Sequence, residues 1–593
     1  MSKSARTIAA RSVKRFVRKE DGNVATFSVL LFSLMVMCGG LAVDLMRYEN
    51  VRTSLQQTLD RCTLAAAALK QTLNRTAVCQ DYTSKAGLTI PASSVKVTGG
   101  STTDTYAIVE ASAKIKMPTI FAGLLGIPDF DVPARSSAMQ AVTNVEIALV
   151  LDVSGSMVQA PNENRLPSMK AAAKAFTTTV LANDTENRTS IAIVPYNGQV
   201  NLGPVLAAKY NITHQHGQET NVDCVDLPPS VYLTNGISRT LGLPQTGFVD
   251  AFQPTEASYN AADQTTTYFW RNRHRDPTST AGATPISLWC PKSTGNIVRL
   301  PHNRNETQNA GTSTEVRGLH ANIDDLVGTG ATSINAGMKW GMAMLDPANR
   351  TMFTQLRTAG HMPAALTGRP FDYTVAGTPA QSMKIIVLMT DGENFTANRL
   401  NDDYRTGNSG IWRSSEGIYS VRHTTGRPSF AGTNQYFIPS RCSAPSNAVT
   451  ANVSATCAPT AWTAGPQGTN PVQLTWPQVW KSLRVSYVAW QFHARALGTD
   501  HNDRVAKFNT KMDLIRTITS VEEMDSQLQS VCNQARELNV VVYGIAFEAP
   551  VNGQTQIRNC ATSLTHYYEA STLNVATAFQ SIAARISQLR LTQ

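Results

Sequence analysis

This sequence predicts an α/β fold built on a doubly wound, mainly parallel sheet, and three observations lead there. An apolar strand, Ile147–Leu151, runs straight into Asp152. A second apolar strand, Lys384–Met389, runs into Thr390-Asp391-Gly392. Around them, strand-length apolar runs alternate with helix-period segments. Strands covered on both faces read as unbroken apolar runs, and strand–helix alternation gives a parallel sheet. Two large insertions interrupt this sheet domain, and a membrane-spanning helix with a small β-rich module precedes it. The predicted boundaries are a basic tail at 1–23, a transmembrane helix at 24–44, a helical stalk and β-rich module at 45–143, and the sheet domain at 144–593. The insertions fall at 200–325 and 394–510.

The chain carries a formal charge of +10, but seven basic residues and no acid lie in 1–19. The basic balance is therefore mainly a property of the tail. It is poor support for nucleic-acid binding, and no nucleic-acid partner is expected. Val24–Val43 holds no charge and has about the length that crosses a bilayer as a helix. The positive-inside rule then places the N-terminus in the cytoplasm and everything after Asp44 outside. A cleaved signal peptide would need a small-x-small site, and Leu45-Met46-Arg47-Tyr48 is a poor one. Glu20-Asp21-Gly22-Asn23-Val24-Ala25 leads into the apolar run. Gly40-Leu41-Ala42-Val43-Asp44 closes it, and Leu55-Gln56, Asp60 and Leu64-Ala65-Ala66-Ala67 follow. Over residues 16–70 this resembles the N-terminal region of TadG-like proteins of the tight-adherence (Flp) pilus system. The resemblance implies a bacterial inner-membrane protein with its bulk in the periplasm. Pseudopilins of that system are cut after a Gly and need a Glu five residues on. Here Ser28 stands five after Asn23, so that processing is not expected.

Residues 45–75 read as a helix continuing the anchor. Residues 94–143 alternate apolar and polar, as in Tyr106–Ala111, which predicts strands. Between them, Pro118–Ile127 is a short apolar segment closed by Gly and Pro and read as ordinary core. It resembles the small β-rich module that follows the anchor in the same family. The sheet domain then reads as strand 145–151, helix 166–182, strand 190–195, a helix from Ile334 to Leu345 and strand 384–389. Helix 521–539, strand 540–547, a short strand near 566–569 and helix 575–589 complete it. Met524, Leu528, Val531, Ala535 and Leu538 form the apolar stripe of helix 521–539.

Three loops carry the candidate site. Asp152, Ser154 and Ser156 offer one carboxylate and two hydroxyls at alternate positions after the first strand. Thr332 adds a hydroxyl on Gly328-Thr329-Gly330-Ala331-Thr332-Ser333, and Asp391 ends the second long strand. Carboxylates at the C-terminal ends of parallel strands meet in one crevice. Hard oxygens with room for water suit Mg²⁺ better than zinc or copper. The pattern Asp152, Ser154, Ser156, Thr332, Asp391 resembles, without departure, the metal-ion-dependent adhesion site of von Willebrand factor type A domains. The resemblance implies a divalent cation, Mg²⁺ first with Mn²⁺ or Ca²⁺ open. It also implies a protein partner whose Asp or Glu completes the metal's coordination.

Nine cysteines comprise Cys38 in the apolar helix and four sequence-local couples: 62 with 79, 224 with 290, 442 with 457, and 532 with 560. An even count outside the membrane suits an oxidising compartment, though sequence leaves the connectivity open. The insertions hold seven of the eight Trp, which disfavours disorder and predicts folded elements around the metal face. Trp270 beside Arg271-Asn272-Arg273-His274-Arg275 reads as a solvated loop, and His214 with His216 is a weak metal pair. No phosphate loop, H-E-x-x-H or nucleophile elbow is present: Val158 stands two after Ser156 where an elbow needs Gly. The expectation is a non-enzymatic, membrane-anchored, metal-dependent binding subunit acting in Flp/Tad pilus assembly. A surface adhesin or matrix-anchoring protein using the same metal site is the alternative.

Overall fold

The computed structural model describes residues 21–68, 71–99, 106–141, 144–158, 165–182, 184–213, 223–246, 290, 294–309, 315–374, 381–442, 457, 459–483, 485 and 488–591. The chain falls into two units, Met1–Val142 and Thr143–Gln593. It is a mixed α/β protein with one long N-terminal apolar helix and several sheets. His214, His216, Trp270, Trp289 and the Arg271–Arg275 run lie outside the described residues.

In the first unit, helix α1 spans Asp21–Ala67, 47 residues without a break. Its first half is long and apolar enough to cross a membrane, and Val24, Phe27, Leu30 and Phe32 are exposed. Its second half buries Leu55, Leu59, Cys62 and Ala66 at helical spacing. That stripe joins the core of a three-stranded antiparallel sheet: β1 (Val95–Gly99), β2 (Tyr106–Pro118) and β3 (Asp129–Ala141). β2 and β3 form a hairpin paired from Tyr106↔Ala141 to Pro118↔Asp129. The stalk helix ends at Ala67, short of the predicted 75. Arg75 donates to the carbonyls of Ala66 and Ala68, satisfying acceptors at the end of α1. Asn74 caps a new helix, α2 (Arg75–Lys85), and the Cys62–Cys79 disulfide ties the two helices together.

The second unit is organised on a six-stranded sheet. Strand β4 (Asn144–Asp152) is buried along its whole length. Helix α3 (Arg165–Leu181) follows, then β5 (Thr189–Tyr196), parallel to β4. Strand β6 (Arg299–His302) pairs antiparallel with β5 at the sheet edge. Helices α4 (Leu319–Asp324) and α5 (Ile334–Leu345) precede β7 (Ser382–Thr390), parallel to β4 on its other side. The chain then leaves through β8 (Ala397–Leu400) and returns through β9 (Arg516–Thr519). Helix α6 (Val521–Glu537), strand β10 (Val541–Phe547), helix α7 (Val551–Cys560), strand β11 (Tyr567–Ala570) and helix α8 (Val575–Leu591) complete the unit. The sheet order is β11–β10–β7–β4–β5–β6, parallel except at β6.

Alternate side chains of β4 supply two cores. Ala148 and Val150 join residues of α5, α6 and α7 in one, and Ile147, Leu149 and Leu151 join residues of α3 and α8 in the other. Both faces are thus covered, which is why these strands read as unbroken apolar runs. The Cys532–Cys560 disulfide links α6 to α7.

The first insertion departs from its predicted extent. Its last part returns β6 to the sheet and packs Leu319 and Ile323 of α4 in the core with α3. The described residues of the second insertion form regular structure. They carry a five-stranded antiparallel sheet and a core containing Trp480, Phe492, Phe508 and Met512. Trp476 stacks on Trp480, with centroids 5.2 Å apart. The predicted couples are all disulfides, including Cys224–Cys290 and Cys442–Cys457, and Cys38 is free. Asp226 and Arg405, both buried, join the two insertions through a 2.8 Å ion pair.

Candidate metal centre

β4 and β7 are adjacent and parallel, with Leu151 opposite Met389. Asp152 closes the first strand and Asp391 follows the second, so both carboxylates emerge at the same sheet edge. The Asp152 side chain is fully buried. Its Oδ1 accepts the Ser154 N–H at 2.8 Å, an Asx-type turn that bends the chain off the strand. Its Oδ2 accepts the Thr390 hydroxyl at 2.7 Å. Behind it, the Tyr196 hydroxyl donates to the Met389 carbonyl at 2.9 Å and fixes the end of β7.

The turn presents Ser154 and Ser156 side by side, with hydroxyls 2.9 Å apart. Both donate to Asp391 Oδ1, Ser156 at 2.8 Å and Ser154 at 3.4 Å. Two backbone bonds clamp the Gly-rich loop onto this turn: Gly155 N–H to Gly330 O at 2.9 Å and Thr329 N–H to Val153 O at 2.8 Å. The clamp delivers Thr332. A Cβ on Gly392 would lie 3.4 Å from the Thr332 hydroxyl and 3.9 Å from that of Ser156. Phe395 N–H, at the root of the second insertion, holds the Thr332 carbonyl at 2.9 Å. The structure thus brings all five sequence-predicted residues into one cluster.

The electrostatics are those of two carboxylates held together out of water. Burial, reinforced by the charge of Asp391, pushes Asp152 up to about 7. Burial also raises Asp391. Sequence reasoning missed Arg165. It opens α3, and its guanidinium donates to Asp391 Oδ2 at 2.9 Å and to Glu548 at 3.0 Å. Thr390 was also missed as a partner of Asp152. The signal for it was a hydroxyl residue immediately before the strand-terminal Asp.

The donor chemistry fits a small hard divalent cation: two carboxylates and three hydroxyls converge, with neither sulfur nor imidazole among them. Among the described residues, no group of three or more His, Cys, Asp or Glu is placed to hold a metal. A cation here would therefore depend on the hydroxyls as much as on the carboxylates.

Residues 22–69 match the model of the Tad family, described as "Putative Flp pilus-assembly TadE/G-like". No curated protein matches the chain. Among solved structures, the chain is similar to the pilus adhesin SpaC from Lactobacillus rhamnosus GG, at 11% identity and TM-score 0.25. That match covers 83% of this chain, which spans only 33% of the adhesin. It is also similar to the vWF domain of the type V pili tip protein Mfa5 from Porphyromonas gingivalis, at 12% identity and TM-score 0.26, covering 76% of this chain and 96% of that one. The adhesive tip pilin GBS104 from Group B Streptococcus agalactiae matches at 12% identity and TM-score 0.26, covering 74% and 99%. The family match at residues 22–69 supports a pilus-related role.

Proposed function

We propose that the chain is a membrane-anchored subunit acting in Flp/Tad-type pilus assembly or secretion, which grips an acidic residue of a partner protein through a divalent cation. On this reading residues 144–593 are a doubly wound von Willebrand type A domain. α1 crosses the inner membrane once over residues 24–44, with the tail cytoplasmic and the bulk periplasmic, where four disulfides are at home. The activity is binding, without catalysis. One observation carries the reading: two carboxylates and three hydroxyls from three separate segments converge at the C-terminal edge of one sheet.

Asp152, Ser154, Ser156, Thr332 and Asp391 would hold the cation, Mg²⁺ before Mn²⁺ or Ca²⁺. Bound there, it would supply the positive charge that a partner's Asp or Glu could grip. The chain's own residues prepare the place. Thr390 and the Ser154 N–H lock the Asp152 carboxylate in one orientation. Arg165 stands apart from these: its guanidinium pairs with Asp391 and would compete with the cation for that carboxylate.

The test is a crosslinking pull-down from native membranes, with Mg²⁺ and with EDTA, for the natural chain and for Asp152→Ala. The expected result is capture of pilus-assembly components by the natural chain with Mg²⁺ alone. Equal capture by Asp152→Ala in EDTA would sink the metal-grip mechanism.

A further inference from the structure

The tip of the β2–β3 hairpin, residues 119–127, was read from sequence as ordinary core. In the structure it is the opposite. Ile120, Leu124, Leu125 and Ile127 are 57%, 80%, 47% and 45% exposed. Four large aliphatic side chains on one short turn form an apolar patch of the kind that marks an interaction surface.

The position of the turn says what covers it. Phe121 packs directly on Gly40, and a Cβ on Gly40 would overlap its ring. Gly40 lies four residues inside the apolar run that Asp44 closes. At the rise of an α-helix, the Phe121 ring therefore sits about 6 Å inside the end of that run. The turn's backbone is prepared for a place without water. The buried Asp44 carboxylate accepts the N–H groups of Ile120, Phe121 and Ala122 at 2.9, 2.7 and 2.8 Å. Inside the turn, Leu124 N–H reaches Phe121 O, Ile127 N–H reaches Ala122 O, and Thr119 N–H reaches Pro128 O. Unpaired backbone donors are costly in hydrocarbon, and these are paired. The charges begin where the turn ends. Lys116 pairs with Asp129 at 3.3 Å and Lys114 with Asp131 at 2.7 Å on the adjoining strands, and Arg47 stands beside Asp44 on the helix.

We infer that this hairpin tip is a second membrane contact, a wedge that enters the lipid leaflet on the module's side of the bilayer, next to α1. Its partner is the acyl-chain region of the lipid. The tip's exposed aliphatic residues continue the exposed apolar surface of α1, and depths of about 5–10 Å are usual for interfacial segments. The inference rests on the proposed membrane anchoring by residues 24–44.

The test uses the full chain in phosphatidylethanolamine–phosphatidylglycerol vesicles, labelled with an environment-sensitive fluorophore under non-reducing conditions. One sample carries the label on the native Cys38, the free thiol inside the apolar run. Another carries it at Leu124→Cys in a Cys38→Ser background. A third, in the same background, carries it at Lys85→Cys, on the exposed water side of the module. Leu124 is largely exposed, so its replacement removes little packing, and iodide access at each label provides a second readout. Lipids brominated near the top of the acyl chains should quench the labels at 38 and 124 by about twofold and leave that at 85 unchanged, as expected for shallow insertion. Iodide should reach only the label at 85. Quenching at 38 without quenching at 124 would overturn the wedge and leave the anchor standing. Quenching at neither position would remove the anchor and the wedge with it.

Discussion

Asp44 and Asp152 are both carboxylates fully withdrawn from solvent, and they are satisfied in opposite ways. Asp44 receives three backbone N–H groups from a single turn. Asp152 receives one N–H and one hydroxyl, and the carboxylate of Asp391 belongs to the same cluster. The first arrangement is closed: donors converge on the charge and the turn depends on it. The second concentrates negative charge, which a cation would relieve. A buried carboxylate surrounded by backbone donors is thus a structural pin, whereas one that shares its pocket with a second carboxylate and several hydroxyls would serve as a receptor for the proposed cation. Burial is common to both, and the neighbouring carboxylate of Asp391 separates them.

The comparison breaks most readily at its structural half. Asp44→Ala should give the largest loss, destabilising the first unit because three backbone N–H groups of the turn lose their acceptor. Hydrogen exchange at the amides of residues 120–122, in vesicles, should rise accordingly; unchanged protection would show that the pin is not one. Asp152→Ala, measured in EDTA by thermal unfolding, should cost far less or even stabilise, because it removes a buried like-charge neighbour.

A second closed group contributes to the pH dependence, together with His302 and His493, which burial also pushes down. His423 is buried in the second insertion with Nε2 2.8 Å from the Phe492 carbonyl, and burial pushes it down to about 4. The unfolded chain takes up the proton first, so this stability is present above pH 6.5 and lost as the pH falls toward 4. The loss should amount to about 3 kcal/mol. Denaturant unfolding from pH 7 to 4 followed by fluorescence should show it, and His423→Gln should flatten the slope; an unchanged slope would assign the acid sensitivity elsewhere.

The receptor half is sharpened by adding the ligand. Mg²⁺ at a hundred times its dissociation constant should stabilise the natural chain by about 2.7 kcal/mol. Calorimetry should show no such gain for Asp152→Ala, and an equal gain would place the cation elsewhere. The smallest effect belongs to Arg165, whose guanidinium supplies positive charge to Asp391. Arg165→Gln should tighten Mg²⁺ binding by about tenfold, or 1.4 kcal/mol, on removal of a competing cation. Weaker binding in titration calorimetry would make Arg165 a support for the site instead of a competitor.

The sequence exposed the receptor better than the pin, for physical reasons. Asp152, Ser154, Ser156, Thr332 and Asp391 stand beside the local features that position them: long apolar strands, a tight turn and a Gly-rich loop. Arg165 meets Asp391 across 226 positions, a contact only the assembled sheet creates. The turn at 119–127 has the composition of core, so composition could not separate a lipid-facing wedge from a protein interior. Strand β6 was missed because Arg299-Leu300-Pro301-His302 is short and lacks alternation. Its proline is tolerated at a sheet edge, where β6 lies. The end of the stalk was misplaced because Arg75, which caps α1, comes from the next helix.

The stems of the second insertion have a consequence of their own. β8 and β9 pair antiparallel from Ala397↔Thr519 to Leu400↔Arg516, so the polypeptide departs and comes back through one zipped doorway. Whatever lies between these stems can lengthen, shrink or be exchanged while the two ends stay side by side. A tight turn joining Leu400 to Arg516 would close the doorway, provided that Asp226 is relieved of the charge Arg405 now matches. The segment is therefore a cassette: a folded module joined to the rest of the sheet unit through a single pair of adjacent stems.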